Sequence, residues 1–200
     1  MEFDEIEDRV RPVLEQVKQE GDEALKKFTR QFDGVDLNLL QVTKEEFAEA
    51  EELVSHDLKA AILSAKGNIE KFHQAQAQDE LKVETMPGVN CYRRSVPIEK
   101  VGLYIPGGTA PLFSTVLMLA IPAKIAGCRE IVLCSPPNKK GRINPAILYA
   151  AKAVGVDRVF KVGGAQAIAG LTFGTESIPK VSKIFGPGNQ YVTAAKQLST

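Results

Sequence analysis

Apolar positions recur along the chain in two rhythms, and the change from one to the other falls near residue 81. Before it, Ile6, Val10, Val13, Leu14 and Val17 return at helical spacing up to Gly21, and Leu25, Phe28 and Phe32 mark one face of a further helix in "DEALKKFTRQF". Pro12 works against the first of these helices, because an internal proline removes a donor and crowds the preceding turn. "LLQV" (39–42) offers a short strand. Thr43 and Glu46 in "TKEE" have the spacing of a capping box and open a helix, and "SHDLKAAILSAKGNIEKFHQAQ" predicts the next one.

After Leu81 the period becomes two. "LKVETMPGVNCYRRSV" alternates about Pro87-Gly88, as a β-hairpin does, and is expected to bridge the two parts of the chain. Apolar runs then recur at "VGLYI" (101–105), "EIVLC" (130–134), "RVFKV" (158–162) and "KIF" (183–185), each separated from the next by a helix-length segment. That is β-α-β-α-β-α-β, the order of a parallel sheet covered by helices. The predicted class is α/β: a helical segment with a hairpin over 1–97, then an incomplete Rossmann-like sheet with helices on both faces over 98–200.

Composition sharpens this division. Of 200 residues, 44% are apolar and 25% charged, which describes a chain able to bury a core. Twelve of the 16 glycines lie after residue 100, but only 14 of the 50 charged residues do. The first half carries 22 acidic and 14 basic residues and the second 3 and 11, so a neutral total conceals about −8 against +8. A basic half suits a phosphate-bearing ligand, although charges sorted this way on a solvated surface account for it equally well. No apolar run approaches the roughly 20 residues of a membrane span, and the acidic start "MEFDEIEDRV" is unlike a secretion signal. The chain is therefore expected to be cytoplasmic, with neither a nucleic acid nor a membrane as partner. Cys91, Cys128 and Cys134 form no C-x-x-C and are expected as buried small hydrophobes. His56 and His73 each stand alone, without a His or Cys three or four residues away, and do not read as metal ligands.

In an open parallel sheet, ligands bind beyond the carboxyl ends of the strands. The segments there read "PGGTAPLFST", "SPPNKKGRIN", "GGAQAIAG" and "GPGNQYVT", three of them glycine-rich turns that open into a helix. Such turns bring backbone close to a ligand and aim free helix amides at it. Asn189 is placed near a helix N-cap, able to serve either the helix or a ligand. Neither the G-x-G-x-x-G fingerprint nor the phosphate-binding G-x-x-x-x-G-K-[ST] occurs. The second half also lacks histidine, paired carboxylates and a Ser-His-Asp order, so no catalytic residue is assigned. Ser114 reads as a residue of a helix start, and Glu176 as a structural cap or ion-pair partner.

These same stretches, "VGLYIPGGTAPLFSTVLMLAIPAKIAGCREIVLCSPP" and "VGGAQAIAGLTFGTESIPKVSKIFGPGNQYVTAAK", with "GDEAL" and "NIEKFH" upstream, resemble histidinol dehydrogenase over nearly all 200 residues. The resemblance implies oxidation of L-histidinol to L-histidine through the aldehyde with two NAD⁺, in a zinc-containing homodimer. By motif it carries cofactor binding to Tyr104 and Pro106 in "LYIPGG", to Gln166 in "GGAQA", and to Pro187 and Asn189 in "GPGN". The family runs to more than twice this length, and its zinc ligands, Glu-His acid/base pair and most histidinol contacts fall in the part beyond. The resemblance thus implies an N-terminal portion with cofactor residues but no metal ligands. The alternative is a non-catalytic half that binds nucleotide weakly at most, or an α/β domain whose glycines are purely steric.

Overall fold

A computed structural model describes residues 3–108 and 111–199. Thr109 and Ala110, within the first glycine-rich loop, lie outside the described residues. Helix α1 (Phe3–Glu20) continues through Pro12. The burial of Ile6, Val10, Val13, Leu14 and Val17 along one face outweighs the lost hydrogen bond. Helix α2 (Asp22–Phe28) continues into a π-helical turn, Thr29–Asp33, which ends at Gly34 in the left-handed region, φ 70°. Helix α3 (Lys44–Leu53) starts at the expected capping box: the Glu46 amide donates to Thr43 Oγ1, and the Thr43 amide donates to the Glu46 carboxylate. Ser55 caps α4 (His56–Gln74).

Strands β1 (Leu81–Met86) and β2 (Val89–Arg93) pair antiparallel around Pro87-Gly88. The hairpin links α4 to the next strand in the chain, yet every residue of both strands is exposed, so it makes no buried layer between the two parts. Cys91 lies on it and is exposed, and Cys128 is half-buried; of the three cysteines only Cys134 is the buried small hydrophobe expected. A hairpin whose two faces both meet solvent cannot bury a side chain at either phase of its alternation.

The remainder is the β-α alternation. Strands β3 (Lys100–Tyr104), β4 (Glu130–Cys134), β5 (Arg158–Phe160) and β6 (Lys183–Phe185) form one parallel sheet in the order β5-β4-β3-β6. Helices α5 (Phe113–Ile125), α6 (Pro145–Ala153), α7 (Gly164–Phe173) and α8 (Gln190–Leu198) follow the four strands in turn. Two cores result, one on each face. Tyr104, Val132, Cys134, Phe160 and Val162 pack with α7, α8, α1 and α2; Val101, Leu103, Ile105, Ile131, Leu133 and Val159 pack with α3 to α6. The alternation along each strand sends successive side chains to opposite cores, which is why the runs read as continuously apolar.

"LLQV" forms a single antiparallel bridge, Gln41 to Phe160, rather than a strand. Its backbone still covers the free edge of β5, with the Val42 amide donating to the Val159 carbonyl and the Lys161 amide to the Leu40 carbonyl. The direction of chain progression reverses between β3 and β6, at the centre of the sheet: from β3 the chain moves outward through β4 and β5, and then returns to β3's other side. A crevice is expected at the carboxyl ends of those two strands.

Candidate functional site

A cavity of about 600 Å³ opens at that crevice, within the size range of small-molecule sites. Tyr104 closes β3 and is 4% exposed; its hydroxyl accepts a hydrogen bond, 3.0 Å, from the Gly164 amide at the start of α7. That bond ties the end of β3 to the loop after β5. It uses an acceptor position and leaves the hydroxyl proton available to a ligand. Burial raises the Tyr104 pKa, with the Gly164 amide opposing and the Asp33 charge reinforcing the shift, so the phenol stays neutral.

Gln166, in the first turn of α7, is 1% exposed, and its Oε1 is buried with no hydrogen-bond partner among the described residues. Buried acceptors are almost always satisfied, so an orphan on a cavity wall marks a place for a donor. Gly164 gives this side chain room: its φ is +63°, and a Cβ there would stand 2.7 Å from Gln166 Oε1.

The "GPGN" loop brings the third group. Gly186 has φ +132°, and a Cβ on it would come within 2.0 Å of the Tyr104 carbonyl oxygen. Only glycine lets the chain leave β6 against the last residue of β3 and turn into α8, which explains the glycine where strand hands over to helix. Asn189 then caps α8, Oδ1 accepting from the Tyr191 and Val192 amides at 3.1 Å each. With its carbonyl committed to the helix, the side chain's amide donors are what it can offer a ligand. Lys196, in the last turn of α8, braces the loop by donating to the Gly186 carbonyl at 2.5 Å.

Tyr104, Pro106, Gln166 and Asn189 therefore line one cavity. Pro187 is exposed in its turn and is not among the lining residues. Sequence reasoning missed the opposite wall, where Arg9, Val10 and Val13 of α1 and Phe32 and Asp33 of the π-helical turn face the strand-end loops. Helical spacing marks Val10, Val13 and Phe32 as core positions, but carries no sign that they meet a loop more than 70 residues away. Asp33 Oδ2 is a second buried oxygen without a partner among the described residues, and burial pushes this carboxyl's pKa up despite the nearby Lys139 ammonium. The cavity adjoins another of about 480 Å³, lined by Ser135, Pro136, Pro137 and Lys139 beyond β4; Asp33, Pro106, Gly107 and Pro136 line both.

Glu176 takes the structural role expected of it, accepting from the Asp22 amide at the start of α2 at 2.8 Å. Asp22 in turn accepts from the hydroxyls of Thr175 and Ser177, which latches α2 to the loop after α7. Ser114 lies in the first turn of α5.

This chain matches the family model for histidinol dehydrogenase over residues 1–200. It belongs to the histidinol dehydrogenase family. The enzyme of that name from Bacteroides thetaiotaomicron is 64% identical over 191 residues, covering 96% of this chain and 45% of the relative. That from Salmonella typhimurium is 55% identical over 194 residues, 97% of this chain and 44% of the relative. The crystal structure of histidinol dehydrogenase from Elizabethkingia anophelis superposes with a TM-score of 0.94 at 54% identity, over 96% of this chain and 44% of that one. The chain thus spans somewhat less than half the length of these relatives.

The cofactors that the family implies fit these residues unequally. A dinucleotide suits a cavity walled by glycine turns and holding two orphaned buried oxygens. Zinc does not: among the described residues no three His, Cys, Asp or Glu side chains converge, and on α4 His56 is exposed and His73 half-buried. Nor is any described helix long and apolar enough to cross a membrane.

Proposed function

We propose that this chain is the NAD-binding part of an enzyme that oxidises L-histidinol to L-histidine through the aldehyde. The observation that carries the reading is the convergence of Tyr104, Gln166 and Asn189 from three separate strand ends on one cavity, with Gln166 Oε1 buried and unpartnered among the described residues. A bound nicotinamide would supply the hydride acceptor for oxidation at the alcohol carbon. The chain's own residues bind and orient: Gln166 accepts from a ligand hydroxyl or amide, Tyr104 donates its hydroxyl proton, and Asn189 donates from its side-chain amide. The apolar wall of Val10, Val13, Pro106 and Pro136 excludes water from that contact.

Removing a proton from the alcohol is a different task. The cavity lining holds no histidine and a single carboxylate, Asp33. Binding and orienting the cofactor are the roles this reading gives to the lining residues.

The test is Asn189→Asp. Aspartate retains the capping oxygen, so the melting temperature stays within a degree or two; NAD⁺ affinity measured calorimetrically falls at least fivefold because the amide donor is gone. Asn189→Ala, by contrast, loses the cap as well and costs about 1 kcal/mol of stability. Unchanged affinity in Asn189→Asp would refute the assigned contact.

A further inference from the structure

The acidic residue that in dinucleotide-binding folds accepts the ribose hydroxyls stands at the end of the second strand of the unit. Here that strand is β4, and it runs out into Cys134, Ser135, Pro136 and Pro137, with no carboxylate. The position is empty of acid, but the space beside it is not. Asp33 reaches the same place from outside the sheet, at the end of the π-helical turn that follows α2. It lines the cavity of Tyr104, Gln166 and Asn189 and also the adjoining cavity of Ser135 and Pro136, and so stands at the junction of the two.

Three features fit this carboxylate to a hydroxyl donor. Oδ2 is buried and unpartnered among the described residues, which is costly for an acceptor unless something fills it. Gly34 in the left-handed region turns the chain directly after it, and the Lys139 ammonium holds the Asp33 carbonyl at 2.7 Å, so the residue is fixed from both sides. Lys139 thus spends a hydrogen bond on the Asp33 main chain and leaves the carboxylate oxygen open.

We propose that Asp33 accepts the 2′-hydroxyl of the adenosine ribose of NAD⁺, supplying from the helical segment the specificity contact that the strand end lacks. This rests on the dinucleotide reading above. A carboxylate there repels the 2′-phosphate of NADP⁺. The cations beside it, Lys139 on the β4 side and Arg9 on the α1 side, would welcome that phosphate once the carboxylate is gone.

The experiment is calorimetric titration with NAD⁺, NADP⁺ and an NAD⁺ analogue lacking the adenosine 2′-hydroxyl, for the unsubstituted protein and for Asp33→Asn. The unsubstituted protein should prefer NAD⁺ to NADP⁺ by tenfold or more and bind the deoxy analogue about tenfold more weakly than NAD⁺. Asp33→Asn should lose about tenfold in NAD⁺ affinity, gain affinity for NADP⁺, and no longer distinguish NAD⁺ from the deoxy analogue. Equal binding of NAD⁺ and the deoxy analogue by the unsubstituted protein overturns the assignment without needing the variant to fold. So does an Asp33→Asn protein whose preference for NAD⁺ over NADP⁺ is unaltered. Absence of saturable NAD⁺ binding by the unsubstituted protein overturns the dinucleotide reading itself, and this contact with it.

Discussion

Gln166 and Asp33 share an unusual condition, each holding a buried oxygen that no group among the described residues satisfies. The two can be separated from ordinary core residues by what their removal does to stability. Replacing Gln166 by leucine, of similar volume, removes an acceptor whose unsatisfied burial costs about 1–3 kcal/mol. The melting temperature should therefore hold or rise while NAD⁺ binding is lost; a fall in stability with binding intact would make Gln166 a structural residue. Asp33 adds a pH dependence. Its folded-state pKa lies above the ordinary carboxylate value because burial disfavours the charge. Above the ordinary value, then, the unfolded chain releases this proton first, and stability drains away as pH rises through the raised folded pKa. Asp33→Asn should flatten that slope in urea unfolding across the acid-to-neutral range, and an unchanged slope would contradict the buried, unsatisfied carboxylate.

Among the elements, α3 shows what part of the charge sorting serves. Glu46 is its capping-box residue, and the same carboxylate accepts from the buried Lys161 ammonium after β5 at 3.1 Å to both oxygens, and forms an ion pair with Arg142 at 3.2 Å. Lys152 of α6 likewise reaches Glu51 of α3 at 2.5 Å. Basic residues of the second half thus neutralise acids of the first half across the surface where α3 docks. The observed pairings favour internal docking, rather than a phosphate ligand, as the use of these particular cations. Removing one partner of a buried pair leaves the other uncompensated, so Lys161→Met should destabilise the protein by about 3–5 kcal/mol. Lys161→Met combined with Glu46→Leu should cost less than the sum of the single changes, by a double-mutant cycle in urea; strict additivity would show the pair to be uncoupled. The capping box was legible from Thr43 and Glu46 alone because capping is a local interaction. The second use of Glu46 was not, because Lys161 lies 115 residues away.

Over the whole molecule, the parallel sheet was legible for a related reason. Strands buried on both faces leave a continuous apolar run in the sequence, and helical connections leave a regular spacing between runs. Glycine turns at strand ends are themselves a sequence feature, so the loops beyond the strands and the cap residue Asn189 were legible from the pattern; Tyr104 and Gln166 came from the resemblance to the family, which falls on those same loops. What the pattern could not convey was placement of the first 74 residues. Val10 and Phe32 announce an apolar helix face but not the partner it meets, and it is their docking over the strand ends that turns an open crevice into a walled cavity. The hairpin was legible too and forms about Pro87-Gly88, although Leu81, Val83, Met86 and Tyr92 are all exposed. Alternation reports a strand's two faces and says nothing about whether either is covered.

We propose that the three glycine-rich loops and Asp33 bind NAD⁺. This claim is tested most directly by titrating the protein with NAD⁺ while following the backbone amide resonances of Gly107, Gly108, Gly163, Gly164, Gly186 and Gly188. The account predicts saturable shifts concentrated in these three loops and in Asp33 and Gly34, with the β1–β2 hairpin unmoved. A folded protein whose loop amides stay still at saturating NAD⁺ would contradict it.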